Sequence, residues 1–130
     1  MIKKRYCIDA YAWIEYLSGS EKGKVVADII ENSSNEIFTS IVTLSEVISK
    51  VKRENKDYQA ALDIIISLSK ISELTLEIAF NTGIKHAEIK KRIKDFGLAD
   101  AFVLQTSESL GAKILTGDPH FKSFKQVIML

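Results

Sequence analysis

The sequence predicts an α/β fold, with a mostly parallel sheet of about five strands covered by helices on both faces. Three observations predict it. Short apolar runs alternate with segments whose apolar residues recur at helical spacing, and alternating strands and helices build parallel sheets. The stretch Tyr6–Ile14 holds one charge, Asp9: the residues before it suit a buried strand. After it, Ala10, Trp13, Ile14 and Leu17 fall at i, i+3, i+4 and i+7 of a helix. Finally, 130 residues with 46% hydrophobic and 27% charged content make one domain, over 1–130, large enough for a real core.

Taken in order, Arg5–Ile8 is the first strand, and Ala10–Leu17 the helix after it. Ser18, Gly19 and Ser20 punctuate, and Ser20 can cap a helix carrying Val25, Val26, Ile29 and Ile30. Glu36–Thr39 is a short second strand after a polar break, followed by a helix with Leu44, Val47, Ile48 and Val51 on one face. Tyr58–Ser69 is a further helix, Ile71–Leu76 the third strand, and Glu77–Lys94 a long amphipathic helix. Leu98–Leu110 is a mostly apolar helix ended by Gly111. Lys113–Thr116 is the fourth strand, Gly117–Phe121 a turn, and Gln126–Met129 the last strand.

The net charge of +1 argues against a strongly basic nucleic-acid coat, although local patches matter more than totals. The lone cysteine, Cys7, has apolar neighbours and reads as a buried, inert thiol. His86 and His120 stand alone, and no zinc spacing is present. Lys3, Lys4 and Arg5 precede an apolar run, but Asp9 and Glu15 interrupt it, so it is not a signal peptide. No apolar segment approaches the roughly 20 residues that span a bilayer, and a cytoplasmic protein without membrane contact is expected.

The chemistry resides in the carboxylates. Asp9 sits where a strand gives way to a helix, at the edge where open parallel sheets bind ligands. It can equally be the N-cap of that helix. Asp100 is the single charge in the apolar first turns of its helix, where the helix dipole alone could account for it. Asp118 ends the fourth strand in a turn sequence, and Thr116 could orient it by a hydrogen bond. Glu46 lies opposite the apolar stripe of its helix and can be a solvated surface glutamate, or can overhang the sheet's carboxyl edge. Four such acids on one rim repel unless something positive neutralises them. Hard divalent cations, Mg²⁺ or Mn²⁺, suit oxygen ligands, and the natural chemistry is metal-assisted phosphodiester hydrolysis.

Asp9 after its strand, Glu46 in Leu-Ser-Glu-Val, Asp100 in Leu-Ala-Asp-Ala and Asp118 in Thr-Gly-Asp-Pro-His-Phe together resemble the PIN-domain ribonucleases, VapC-type toxins in particular. The resemblance covers essentially the whole chain. It implies a three-layer α/β/α sandwich and a metal-dependent endoribonuclease whose four acids bind Mg²⁺ or Mn²⁺, with Thr116 supporting them. It also implies a homodimer and an antitoxin whose tail blocks the acidic cleft, to which an inserted arginine is complementary. One departure stands out: the family often has Thr or Ser after the first aspartate, then Ser or Asn, whereas this chain has Ala10 and Tyr11.

Substrate contacts are less legible. Lys85, His86, Lys90, Lys91, Arg92 and Lys94 could meet RNA phosphates, or form an ordinary solvated helix face. Lys3, Lys4 and Arg5 make a similar patch. Tyr11, Trp13 and Tyr16 could stack on bases, but Trp13 lies on an apolar stripe and suits the core. A silent PIN-like binding module and an RNA-processing nuclease that is not a toxin are the alternatives. A signalling receiver domain would need an aspartate ending the third strand, and Ile71–Leu76 ends without one.

Overall fold

The computed structural model describes residues 3–130, so Met1 and Ile2 of the expected domain lie outside the described residues. Its five strands are β1 (Lys4–Ile8), β2 (Asn35–Ser40), β3 (Lys70–Ser72), β4 (Lys113–Thr116) and β5 (Val127–Met129). They form one sheet in the order β3-β2-β1-β4-β5, and every pairing is parallel. The six helices are α1 (Ala10–Ser18), α2 (Glu21–Ile30), α3 (Ile41–Arg53), α4 (Tyr58–Leu68), α5 (Leu76–Lys90) and α6 (Leu98–Leu110).

Alternation along the central strands divides the core in two. Ile8 and Leu115 face a cluster with Trp13, Val26, Val47 and Ile65 from α1–α4. Cys7 and Ile114 face the other way, onto Ile89, Ala101 and Leu104 of α5 and α6 together with Phe96 and Phe121. The result is an α/β/α sandwich. Burial pushes the Cys7 thiol up to about 12, with Asp9 adding to the effect, so the thiol stays protonated. Trp13 is fully buried, and its indole N–H donates to Thr39 Oγ1 at 3.1 Å, which removes it from any base-stacking surface.

Two boundaries differ from the sequence reading by more than one residue. The third strand stops at Ser72 because Thr75 accepts from the Ile78 N–H at 3.1 Å and caps α5, leaving Leu76 as a highly exposed first helical residue. At its other end α5 stops at Lys90 rather than Lys94. The chain tightens there, with the Arg92 N–H bonding to Ile89 O, and Phe96 drops into the second core cluster.

The topology selects one place on this scaffold. From β1 the chain builds outward to β2 and β3 on one side and, later, to β4 and β5 on the other. The carboxyl ends of β1 and β4 therefore flank the point where strand order reverses, which is where open α/β sheets bind ligands. Asp9 and Thr116 occupy those two ends.

Candidate metal centre

Asp9 is buried at 5% exposure and does two things at once. Its Oδ1 accepts from the Ala12 N–H at 3.0 Å and so caps α1. Its Oδ2 accepts from the Thr116 hydroxyl at 2.5 Å. The capping and functional readings of Asp9 are thus compatible, since one oxygen serves each. Burial pushes its carboxyl up to about 7 against the opposing pull of those two hydrogen bonds, and the charges of Asp118 and Glu46 push the same way.

Thr116, fully buried, is the link between two strand ends. Its hydroxyl donates to Asp9 and accepts from the Asp118 N–H at 2.9 Å. Asp118 then caps a short 3₁₀ turn, Pro119–Phe121, accepting from the His120 N–H at 2.8 Å. Gly117 between them packs closely: a Cβ there would lie 2.2 Å from the Tyr11 ring, which would have to move. Tyr11, at one of the positions that depart from the family pattern, lies against this turn, and its hydroxyl accepts from Lys22 at 3.0 Å.

Asp100 enters from α6, where its Oδ2 accepts from the Gly97 N–H at 2.9 Å, the usual service of a first-turn carboxylate. Burial and the neighbouring Asp118 raise its pKa, while the Gly97 N–H and His120 oppose the rise. Ligand atoms of Asp100, Asp118 and His120 all lie within 4.8 Å of one another. His120 Nδ1 is 3.2 Å from Asp118 Oδ1 and 3.5 Å from Asp100 Oδ2, and Nε2 is 2.9 Å from Asp95 Oδ2.

His120 therefore does not stand alone, as its sequence surroundings suggested. Asp95 and Asp100 are distant along the chain, and only the packing of α6 beside the turn after β4 brings them to the ring. The one signal in the sequence was its place in Asp118-Pro119-His120, two residues from a strand-end acid. Its pKa is raised, chiefly by the hydrogen bond to Asp95, and Asp118 and Asp100 add to this.

Glu46 is exposed as a residue, but partial burial of its carboxylate, with Asp100 and Asp118 nearby, lifts its pKa. It thus faces the other acids electrostatically while standing, with Asp9, outside the tight Asp100–Asp118–His120 group. Of the basic residues, Lys85 pairs with Glu108 at 2.9 Å, Lys90 donates to Lys94 O at 2.7 Å, and Arg92 sits 5.3 Å from the centre of the Phe124 ring. Arg92 also lines an open groove with Asp95, His120 and Lys122, beside the acids. Arg5 is tied to Glu36 at 3.2 Å.

The family model described as PIN domain matches residues 6–127. The chain belongs to the PIN-domain family. Among solved structures, this PIN domain superposes on VapC20 of Mycobacterium tuberculosis, described as a sarcin-ricin loop cleaving toxin, with a TM-score of 0.77 at 14% identity, covering 92% of this chain and 95% of that one. A chain of VapBC2 from Rickettsia felis, bound to a promoter DNA fragment, gives 0.74 at 19% identity over 97% of each chain. DNA-bound VapBC from Salmonella typhimurium gives 0.73 at 20% identity, covering all of this chain and 98% of that one. At such identities the likeness is one of fold. No curated protein matches the sequence.

Proposed function

We propose that this PIN domain is a metal-dependent endoribonuclease and the VapC-type toxin of a toxin–antitoxin pair. The observation that carries the reading is the Asp9–Thr116–Asp118 link, which joins two strand-end carboxylates at the topological switch point beside Asp100. The donor set fits a hard divalent ion: oxygens dominate, and burial together with the neighbouring acids raises the pKa values of Asp9, Glu46 and Asp100, a cost that a cation would relieve. Asp9, Glu46, Asp100 and Asp118 would hold Mg²⁺ or Mn²⁺, which when bound activates water and stabilises the leaving oxygen of a phosphodiester.

The chain's own residues do the rest. Thr116 fixes the Asp9 carboxylate by donating to it, and the Gly97 N–H fixes Asp100. Arg92 and Lys122, in the groove beside the acids, offer positive charge to the phosphates of an RNA strand, with Lys85, Lys90 and Lys91 on α5 and just after it a weaker extension of that surface. The toxin assignment is supported by neighbours that are a sarcin-ricin loop cleaving toxin and VapBC complexes. A cognate antitoxin would close the acidic cleft with an arginine. Leu76, Phe80 and Ile84 form an exposed apolar stripe along α5 suited to a homodimer contact. No helix among the described residues is long and apolar enough to cross a membrane, in keeping with a cytoplasmic site of action.

The test is cleavage of labelled single-stranded RNA and of structured RNA with Mn²⁺ or Mg²⁺. Cuts lost with EDTA and with Asp9→Asn are expected. A folded wild-type protein that neither cuts either RNA nor binds metal would overturn the assignment in favour of a silent binding module.

A further inference from the structure

We propose that His120 is itself a ligand of the divalent ion, through Nδ1, and that the site consequently prefers Mn²⁺ to Mg²⁺. The inference rests on the metal-dependent reading above and adds a nitrogen to its all-oxygen ligand set.

Three observations carry it. The first is spacing. Neighbouring ligands around a six-coordinate ion at about 2.1 Å lie roughly 3 Å apart. Nδ1 stands 3.2 Å from Asp118 Oδ1 and 3.5 Å from Asp100 Oδ2, close to the edges of such a shell.

The second is an orphaned atom. His120 Nδ1 is buried and has no hydrogen-bond partner, although the ring as a whole is partly exposed. A buried polar atom without a partner is costly, and this one faces two carboxylates that cannot donate to it when ionised.

The third is the ring's other nitrogen. Nε2 lies 2.9 Å from Asp95 Oδ2, so a neutral ring keeps its proton there and turns its lone pair at Nδ1 towards Asp100 and Asp118. Acceptors facing acceptors are stable only with a cation among them. A carboxylate behind an imidazole whose far nitrogen is free is the usual arrangement of a metal-binding histidine. The backbone holds the ring in place: Pro119 opens the 3₁₀ turn, and buried Phe121 anchors it against Phe96 and Phe124.

The chemical consequence is selectivity. Mg²⁺ strongly prefers oxygen ligands, whereas first-row transition ions gain from imidazole nitrogen, so replacing one oxygen by Nδ1 shifts preference towards Mn²⁺. The rival occupant is a proton on Nδ1, which would make His120 an internal counter-ion instead of a ligand.

Pulsed electron paramagnetic resonance on the full chain loaded with Mn²⁺ decides between them. The expected spectrum has ¹⁴N modulation from a directly bound imidazole, which disappears in His120→Asn and changes to the ¹⁵N pattern when wild-type protein carries ¹⁵N-histidine. The ¹⁵N arm needs no variant, so it survives if His120→Asn misfolds. Calorimetry should show Mn²⁺ affinity falling at least about 10-fold in His120→Asn while Mg²⁺ affinity changes little. Bound Mn²⁺, lost in Asp118→Asn but without nitrogen coupling in the wild type, would overturn the ligand and leave the nuclease standing. Equal losses for both ions would overturn the preference for Mn²⁺. Absence of any Mn²⁺ binding would overturn both.

Discussion

The centre has two halves that carry the same charge and do different work. Asp9 is buried at the end of β1, both oxygens occupied by hydrogen bonds, and burial, helped by the charges of Asp118 and Glu46, outweighs those bonds to hold its carboxyl at about 7. Asp100 and Asp118 stand at the rim with side chains 20% and 28% exposed, joined by a histidine in place of a hydroxyl. The difference teaches that the fully buried acid is fixed by hydrogen bonds on both oxygens, while the rim acids are left open to a charged neighbour, His120. A metal ion acting on both halves would relieve two different costs.

The comparison is sharpened most by paired Asp→Asn variants. Asp118→Asn and Asp9→Asn should each lower RNA cleavage by at least about 100-fold, beyond what loss of an outer-shell partner does. Their effects on the metal-free fold should diverge. A folded pKa near 7 against 3.8 unfolded means the native state binds more protons between those values, so stability falls as pH rises from about 4 to 7. His120, also raised, adds stability below its ordinary value that is lost as pH climbs through the folded one. Thermal melts of the metal-free wild type should thus decline from pH 5 to pH 8. Asp9→Asn should flatten much of that decline and raise the midpoint at pH 8. An unchanged slope would show that Asp9 is not the dominant buried acid.

A smaller effect is expected at the hinge between the halves. Thr116→Val removes the donor to Asp9 and the acceptor of the Asp118 N–H, costing about 1–3 kcal/mol. Without that donor the Asp9 carboxyl rises further, so the onset of cleavage should move to higher pH. A pH–rate profile of the variant checks this, and an unmoved onset would mean the hydroxyl is merely structural.

The smallest effect probes packing. Gly117→Ala places a methyl in the Tyr11 ring and should cost about 1 kcal/mol, the ring being able to swing towards Lys22. Adding Tyr11→Ala should recover most of it. If the double variant is no better than the single one, the strain lies in the turn itself and Tyr11 is not its cause.

Periodicity located the elements well where they are long or buried. The helix Leu98–Leu110 with its terminal Gly111 stands as read, because an apolar run ended by a left-handed glycine admits few other structures. Boundaries failed where a single side chain outweighed the pattern. Thr75 captures the Ile78 N–H and turns the end of an apolar, strand-like run into a helix start. The apolar stripe of α1 alone points Trp13 into the core, where it is fully buried.

What the sequence by itself determined is the alternation of strand and helix, and with it the strand-end positions of Asp9 and Asp118, since local hydrophobic period dictates both. Tertiary structure alone decided what faces those acids. His120 meets Asp95 and Asp100 only because α6 packs beside the turn after β4, and Glu46 feels the charges of Asp100 and Asp118 only because α3 and α6 meet in the fold. No local pattern encodes such distances. They are set when two core clusters, one on each face of the sheet, close around β1 and β4 and bring the ends of those strands together.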